Sequence, residues 1–431
     1  MRVGIPKIAV FLVCVLALYW FIPNVYNRAT RMDKFSLSGV FSPISKSFIV
    51  WESTPDEMVY KDEKGMLLDK VEAQKKMPFI FAGNVNKWGG FPLNIDAQTF
   101  SYEEAKKNTQ SMRISPRYVF SEVLAMNVLF ETAPVGTQFP VPKDVVLFKE
   151  NRLEFITMND GIVDTAKSET FSASLKNAGL VFPIKCVATN PSPLKSFDEG
   201  MMLIDAQNNL FHLKMLKDKP FVQNMHLTIP ETPLYMTLEE NPRKRYYGLI
   251  VTDRSVYLYT YANELVKLPL NAFNPTKHAL MIRMSPLYQT IIQSDVTDKT
   301  QPLSYIATDI AFQPLHVKEQ AFPQTLTEQF QRLEKGLSFL TPFTLRQFSS
   351  SKGGIVFDFK GADNTLFALL GIVFALVVYI GYIRLRHLKL NVFSLCLIVC
   401  SGIPALIALM VFGDVGTYQS RRERAWTGKI P

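Results

Sequence analysis

Cysteine is scarce in this sequence, with four residues in a chain of 431. Cys14, Cys396 and Cys400 lie inside apolar runs, and Cys186 stands alone in the middle of the chain. No pair of them has the spacing of a disulfide framework or of a zinc site. The sequence therefore argues against a fold held together by disulfides or by a cysteine-bound metal.

Motifs that carry recognisable chemistry are also missing. The five histidines are far apart, and none has the spacing of a metal ligand set. There is no P-loop, no G-x-S-x-G and no G-x-G-x-x-G. His212 alternates with Phe211 and Leu213 on a predicted strand, so we expect it to be a structural or surface residue. We predict no catalytic, metal-binding or cofactor-binding residue and no cofactor, and we do not expect an enzyme.

The charge pattern gives little support for a nucleic-acid partner. The net charge is +9, and no block of Lys and Arg alternates with aromatic residues. One cluster, "NPRKRYYG", places Arg243, Lys244 and Arg245 beside two tyrosines. We expect a solvated loop there, and the alternative is a surface for anionic lipid headgroups or an acidic partner. No nucleic acid is expected as a partner.

Three apolar runs organise the chain, Ile8–Ile22, Leu366–Ile383 and Val392–Phe412. Each is close to the length that crosses a hydrocarbon core of about 30 Å, so we predict three transmembrane helices. Gly402 and Pro404 interrupt the third run and are expected to kink it. No small-x-small cleavage site follows the first run, which favours a retained anchor over a signal peptide. The predicted divisions are an anchor at 1–26, a β-rich soluble domain at 27–364, a helical hairpin at 365–413 and a basic tail at 414–431.

The basic residues give a mixed signal for orientation. Arg384, Arg386 and Lys389 lie in the loop of the predicted hairpin and favour a cytoplasmic loop. That orientation places the soluble domain outside, although Arg28 and Arg31 follow the first run and the tail is also basic. We expect a multi-pass membrane protein whose soluble domain is external.

A repeated pattern dominates the soluble region. "GMMLIDAQNNLFHLKM" begins at Gly200, and "GLIVTDRSVYLYTYANELVKL" begins at Gly248. A third unit follows, so that Asp205, Asp253 and Asp295 recur 42 to 48 residues apart. This spacing is typical of propeller blades, because a single β-meander cannot bury its apolar faces alone. The predicted fold is mainly β, with propeller-like repeated β-meanders and helical insertions; the alternative is an irregular pair of β-sandwiches.

The recurring aspartates allow two interpretations. We expect each to begin a tight turn by accepting hydrogen bonds from its own backbone. In the alternative, the three carboxylates line one face and hold a cation or a polar ligand. One helical insertion, "SETFSASLKNAG", has Ser168 as its expected N-cap and Gly179 as its expected stop.

Several segments together resemble a known family. They include "FSPISKSFIVWE", "ISPRYVF", "RKRYYGLIVTDRSVYLYTY" and, most specifically, residues 179–216. The chain is similar over most of its length to bacterial inner-membrane proteins catalogued only as a domain of unknown function. The resemblance implies an envelope protein, often encoded near ABC-transporter components, with no assigned activity and no functional residues to carry over.

Two hypotheses follow from these observations. The first is a membrane-anchored accessory, sensor or interaction subunit of a membrane complex, with membrane lipid and ABC-transporter subunits as partners. The second is a membrane-bound enzyme that acts on an envelope polymer or lipid. That enzyme would need two facing carboxylates about 5–10 Å apart in a cleft.

Overall fold

The structure is a computed structural model that describes residues 5–30, 35–54, 57–120, 127–136, 138–298, 300–349, 355–388 and 390–413. The chain divides into two compact units. Lys34–Phe322 form the β-unit, and Met1–Asp33 with Pro323–Pro431 form the helical unit. The domain boundaries expected from the sequence stay a prediction.

The described residues of the β-unit contain five helices and twenty-two strands. The helices are α2 (Lys70–Lys76), α3 (Ala82–Lys87), α4 (Tyr102–Lys107), α5 (Pro116–Val119) and α6 (Thr165–Asn177), numbered after α1 (Ile5–Ala29) of the helical unit. The first ten strands are β1 (Ser36–Phe41), β2 (Phe48–Ser53), β3 (Met58–Lys61), β4 (Leu67–Leu68), β5 (Leu93–Ile95), β6 (Gln98–Phe100), β7 (Gln110–Ile114), β8 (Asp144–Phe148), β9 (Leu153–Thr157) and β10 (Val163–Asp164). The next twelve are β11 (Cys186–Thr189), β12 (Met201–Ile204), β13 (Asn209–Leu216), β14 (Lys219–Thr228), β15 (Pro233–Met236), β16 (Tyr246–Thr252), β17 (Val256–Thr260), β18 (Leu265–Lys267), β19 (His278–Met284), β20 (Gln289–Asp295), β21 (Leu303–Thr308) and β22 (Pro314–Gln320).

These strands form antiparallel meanders, in which neighbours along the chain are neighbours in the sheet, except that β7 pairs with β19. Sheet 1 has the order β1-β2-β3-β4, sheet 2 β10-β9-β8, sheet 3 β11-β12-β13-β14, and sheet 4 β15-β16-β17-β18. Sheet 5 has the order β22-β21-β20-β19-β7, and β5 pairs with β6. The prediction of a mainly β fold built from repeated meanders with helical insertions is confirmed.

Four sheets stack face to face and bury one another. Sheet 3 packs on sheet 4 through a cluster that includes Ile204, Ile250 and Tyr259. Sheet 4 packs on sheet 5 through another that includes Leu258 and Ile291. Sheet 5 packs on sheet 1 through a third cluster, whose members include Phe48, Val50, Ile292 and Tyr305. Each meander thereby gains the apolar partner that it lacks alone.

The prediction of a propeller is wrong for the described part of the chain, where no closed ring is found. The outer face of sheet 1 packs on helix α2, through Ile49 against Ala73 and Met77. At the other end, Phe171 of α6 and Phe155 of sheet 2 cover the outer face of sheet 3. Helices therefore occupy faces where closure of the ring would require another blade.

Helix α6 begins earlier than its sequence pattern indicates. Its N-cap is Asp164, whose Oδ1 accepts a hydrogen bond from the Lys167 N–H at 3.0 Å. Ser168, the expected N-cap, lies inside the helix, and its Oγ accepts from the Phe155 N–H at 2.9 Å. Gly179 follows the helix with a φ of +91°, as a stop signal requires.

The helical unit combines long helices with one hairpin. Besides α1, it contains α7 (Gln324–Leu340), β23 (Phe343–Ser349), β24 (Ile355–Gly361), α8 (Thr365–Leu385), α9 (Val392–Ser401) and α10 (Ile403–Phe412). Helices α1, α8, α9 and α10 share one apolar cluster, which includes Phe11, Ala375, Ile398 and Leu406. The Tyr19 hydroxyl donates to the Ser401 carbonyl at 2.8 Å and fixes α1 against the end of α9.

The described residues include two helices long and apolar enough to cross a membrane, not the three expected. They are Ala9–Ala29 and Thr365–Leu385, each of 21 residues. The third apolar run is divided at Gly402 into α9 and α10, of ten residues each. Gly402 has φ +60° and ψ −136°, which is not helical, and Pro404 lies in the first turn of α10. Each half spans about 15 Å, half of a hydrocarbon core.

Some sequence-based expectations fall on residues that the structure does not describe. They concern Arg31, Lys389 and the basic tail 414–431.

Candidate functional site

A cluster of charged residues is buried at the loop that precedes β12. Lys195 lies at its centre, with Asp198 and Glu240 beside it, and their side chains are 4%, 1% and 1% exposed. The Lys195 Nζ forms an ion pair with Asp198, lies 3.1 Å from Glu240 Oε1, and donates to the Asn190 carbonyl at 3.0 Å. It also lies 4.4 Å from the centroid of the Phe130 ring. We refer to Lys195, Asp198, Glu199, Lys214 and Glu240 as the buried ion cluster.

The carboxylates of the buried ion cluster have partners on both oxygens. Glu240 Oε2 accepts from Asn190 Nδ2 at 2.8 Å, and Oε1 also accepts from the Glu199 N–H at 2.7 Å. Asp198 Oδ2 accepts from the Thr132 hydroxyl at 2.7 Å. Burial is the main influence on Glu240 and raises the pKa of its carboxyl, although Lys195 opposes the shift. Lys195, Asp198 and Glu240 are closed to solvent and hold the loop to the sheets, so they offer no open position for a substrate.

His212 of β13 adjoins the cluster and is neutral at physiological pH. Its Nε2 lies 2.6 Å from the Glu199 carbonyl, which requires a proton on that nitrogen. Burial lowers the pKa of His212 to about 4. The Glu199 carboxylate is bound instead by Lys214, at 2.5 Å, and by the Tyr261 hydroxyl, at 3.2 Å. His212 is thus a satisfied structural residue, as its position on a strand predicts.

The three recurring aspartates occupy equivalent positions, each at or just after the second strand of a meander. Asp205 Oδ1 accepts from the Gln207 and Asn209 N–H groups at 2.9 and 2.8 Å. Asp295 Oδ1 accepts from the Thr297 N–H at 2.7 Å. These bonds are those of turn residues.

Asp253 departs from that pattern. Its Oδ1 accepts from the Thr232 N–H at 3.2 Å, across to the loop before β15. Each of the three recurring carboxylates therefore bonds to a different loop. Within the described ranges, no group of three or more His, Cys, Asp or Glu residues is arranged to hold a metal ion.

Asp295 also borders a cleft of about 470 Å³ at the ends of β19, β20 and β21. Its acidic residues are Asp295, Asp298 and Glu319, and its basic residues are Lys277 and His278. Burial acts to raise the pKa of Asp295, but hydrogen bonds from Thr297 outweigh it and leave the pKa below its usual value. Hydrogen bonds from Thr300 likewise lower the pKa of Asp298. We refer to this cavity as the strand-end cleft.

The basic loop before β16 is only partly solvated, contrary to expectation. Lys244 is exposed, but Arg243 is half-buried, and burial together with nearby Arg245 lowers its pKa. The Arg243 Nη1 atom is buried without a hydrogen-bond partner in the described chain. Arg245 Nη2 donates to the Ile310 carbonyl at 2.6 Å, which ties the loop to the β21–β22 turn.

Large apolar side chains are exposed along the helical unit. Val13 of α1, Leu369 and Val377 of α8, Val399 of α9 and Val411 of α10 are each more than half exposed. They extend over helices whose other faces already form an apolar core. Large apolar side chains exposed on four helices are unfavourable in water and are typical of an interaction or membrane surface.

Comparison with known families gives one match. A family described as "Domain of unknown function (DUF4857)" matches residues 38–307, which is more than half of the chain. The chain belongs to this family. The matched region lies within the β-unit and contains the buried ion cluster. No curated protein matches the chain.

Sequence reasoning missed the residues that the fold brings together. Lys195 and Glu240 are 45 positions apart, and the loops that carry them have no motif. The strand-end cleft had one signal, the repeated Asp295, but nothing in the sequence placed His278 opposite it. The register of β19 with β20 does so.

Proposed function

We propose that this protein is a membrane-anchored accessory, sensor or interaction subunit of a membrane complex. The observation that supports it is the exposed apolar surface of α1, α8, α9 and α10. Contact of this surface with lipid acyl chains carries no hydrophobic cost, whereas contact with water is unfavourable. The family description assigns no activity, so the proposal rests on architecture and on the resemblance noted from the sequence.

The same proposal includes an orientation and a location. Arg384 and Arg386 are exposed at the end of α8, and we place that end on the cytoplasmic side of a bacterial inner membrane. A helix of 21 residues rises about 31 Å, enough for one crossing. The β-unit then lies on the opposite, periplasmic side.

An ABC transporter is the complex that we would test first. The support is the resemblance to envelope proteins encoded near such transporters, which makes its membrane subunits the natural partners. Full-length tagged protein should be purified in mild detergent and its partners quantified by mass spectrometry. As a control for association after extraction, the lysate of the tagged culture is mixed with the lysate of an untagged, isotope-labelled culture. Partners that bind only after lysis then carry the label.

Transporter subunits recovered in near-stoichiometric amounts, and only from the tagged culture, are the expected result. Recovery of the chain alone would contradict an obligate complex. Recovery of soluble proteins alone would contradict a membrane partner.

The alternative function, an enzyme of an envelope polymer or lipid, would be tested at the strand-end cleft. Asp295, Asp298 and Glu319 bring three carboxyl groups to one cavity. Asp295 and Asp298 accept hydrogen bonds from their own turns, so Glu319 is the carboxyl group most available to a substrate. Hydrolysis of an envelope polymer that Glu319→Gln abolishes would favour this alternative.

A further inference from the structure

The strand-end cleft has the dimensions of a small-molecule site. Its volume of about 470 Å³ falls within the usual range for ligand pockets of about 300–1,000 Å³. The residues that line it come from the start of β19 and the loop before it, from β20 and the turn after it, and from β21 and β22. All of them belong to the β-unit, so the inference does not depend on membrane anchoring.

Gln293 supplies an acceptor at the buried side of the cleft. The residue is 6% exposed and lines the cavity. Its Nε2 donates to the Asn271 carbonyl at 2.9 Å and lies 3.0 Å from His278 Nδ1. Its Oε1 is buried and has no hydrogen-bond partner in the described structure. Buried carbonyl oxygens are rarely left unpaired, so this atom is an acceptor that still needs a donor.

His278 fixes which way the Gln293 amide faces. The Asn274 N–H donates to His278 Nδ1 at 3.0 Å, so this nitrogen is an acceptor and carries no proton. The Gln293 Nε2 therefore belongs on the His278 side, because an oxygen there would face a second acceptor. Oε1 remains on the other side of the amide.

The charged side chains of the cleft favour a cation. Among the described residues that line the cleft, Asp295, Asp298 and Glu319 outnumber Lys277, and His278 is neutral in the arrangement above. Glu319 lies exposed on β22 and makes no ion pair in the part of the chain that the structure describes. A cation that carries N–H groups fits both the unpaired Gln293 Oε1 and the excess of carboxylates. It can donate a hydrogen bond to Gln293 and is attracted by the carboxylates.

We propose that the strand-end cleft binds a small organic amine in its ammonium form. One ammonium N–H donates to Gln293 Oε1, and Glu319 and Asp295 contribute the attraction at the opening. A metal ion is less suited, because the described residues contain no cluster of three metal-ligating side chains. A neutral polyol could fill the space but would gain nothing from the three carboxylates.

The test is calorimetric titration of the full-length protein in detergent with 1,4-diaminobutane. 1,4-Butanediol serves as the neutral probe of the same length, and calcium chloride as the metal probe. We expect a Kd of 1 mM or tighter for the diamine and at least tenfold weaker binding of the diol and of calcium. No diamine binding at 10 mM, or equal binding of diol or calcium, would overturn the proposal.

Three variants separate the cleft from general surface charge. Glu319→Gln should weaken diamine binding at least threefold, whereas Glu264→Gln, the same change at an exposed residue outside the cleft, should alter it by less than twofold. Gln293→Met, which removes the acceptor, should weaken binding at least tenfold. Circular dichroism checks the fold of each. If Gln293→Met does not fold, the comparison of Glu319→Gln with Glu264→Gln shows whether the cleft binds the diamine. Equal weakening by both variants contradicts the proposal.

Discussion

Individual residues decide the stability of the loop before β12. The buried ion cluster joins positions that are distant in sequence, and its members carry opposite charges inside a closed interior. Such groups are retained only when each has a partner, because an unpaired buried charge is unfavourable. No local pattern could have predicted the cluster, since charged residues in loops are usually solvated.

Lys195→Met should destabilise the protein by about 3–5 kcal/mol, because Asp198 and Glu240 would be left buried without their shared cation. The free energy of unfolding can be measured by urea titration of full-length protein in detergent, followed by tryptophan fluorescence. Lys219→Met, an exposed lysine on β14, is the control and should change stability by about 0.5 kcal/mol or less. Similar values for the two variants would show that the cluster does not hold the loop.

His212 should make stability depend on pH. Its pKa is lowered by burial to about 4, below the ordinary 6.5, so the unfolded chain binds the proton more readily. Its contribution is therefore fully present above pH 6.5 and is lost as pH falls from 6.5 towards 4. The loss is on the order of 3 kcal/mol.

His212→Gln should flatten the dependence of unfolding free energy on pH in that window. His226→Asn, at an exposed position of β14, should leave the dependence unchanged. An identical slope in the His212→Gln variant would contradict the assignment.

At the scale of elements, the repeated glycines explain the repeated meanders. A Cβ on Gly200 would lie 2.3 Å from the Leu213 carbonyl oxygen, and one on Gly248 would lie 2.1 Å from the Thr237 carbonyl oxygen. Both glycines therefore permit close approach of neighbouring strands. The sequence predicted the meanders because this pattern is local and periodic.

Gly248→Ala should lower the free energy of unfolding by about 1–3 kcal/mol, because β15 and β16 would have to separate. Gly83→Ala is the matched control. It lies in helix α3, where a Cβ meets no atom within 4 Å, so alanine should be neutral or stabilising by up to about 1 kcal/mol. Chemical denaturation of both variants checks the contrast, and equal destabilisation would refute it.

Other elements could not be predicted because they depend on distant pairing. β7 joins the edge of sheet 5 beside β19, although more than 150 residues separate them. Helices α2 and α6 cover the end faces of the stack, and this prevents closure into a propeller. The sequence predicted a kink in the third apolar run, since Gly402 and Pro404 lie within it. It did not predict the division into two helices, because the non-helical backbone at Gly402 depends on its surroundings.

At the scale of the whole molecule, we predict which side of the membrane each part of the chain faces. In a cysteine-free background, a cysteine at Leu390, an exposed position after α8, should resist an impermeant thiol reagent in intact spheroplasts. A cysteine at Glu150, in the exposed turn between β8 and β9, should react. Permeabilised cells, in which both should react, provide the control. Labelling of Leu390→Cys but not Glu150→Cys would place the β-unit in the cytoplasm and direct the search for partners there.

An alkaline carbonate wash of membranes shows whether the protein is anchored in the bilayer. The helical unit exposes apolar side chains on four helices, so its release into water would expose that surface at a cost of about 25 cal/mol per Å². We predict that the full-length protein stays in the membrane pellet after carbonate treatment and enters solution only with detergent. Quantitative recovery in the carbonate supernatant, as a soluble and folded protein, would contradict membrane anchoring.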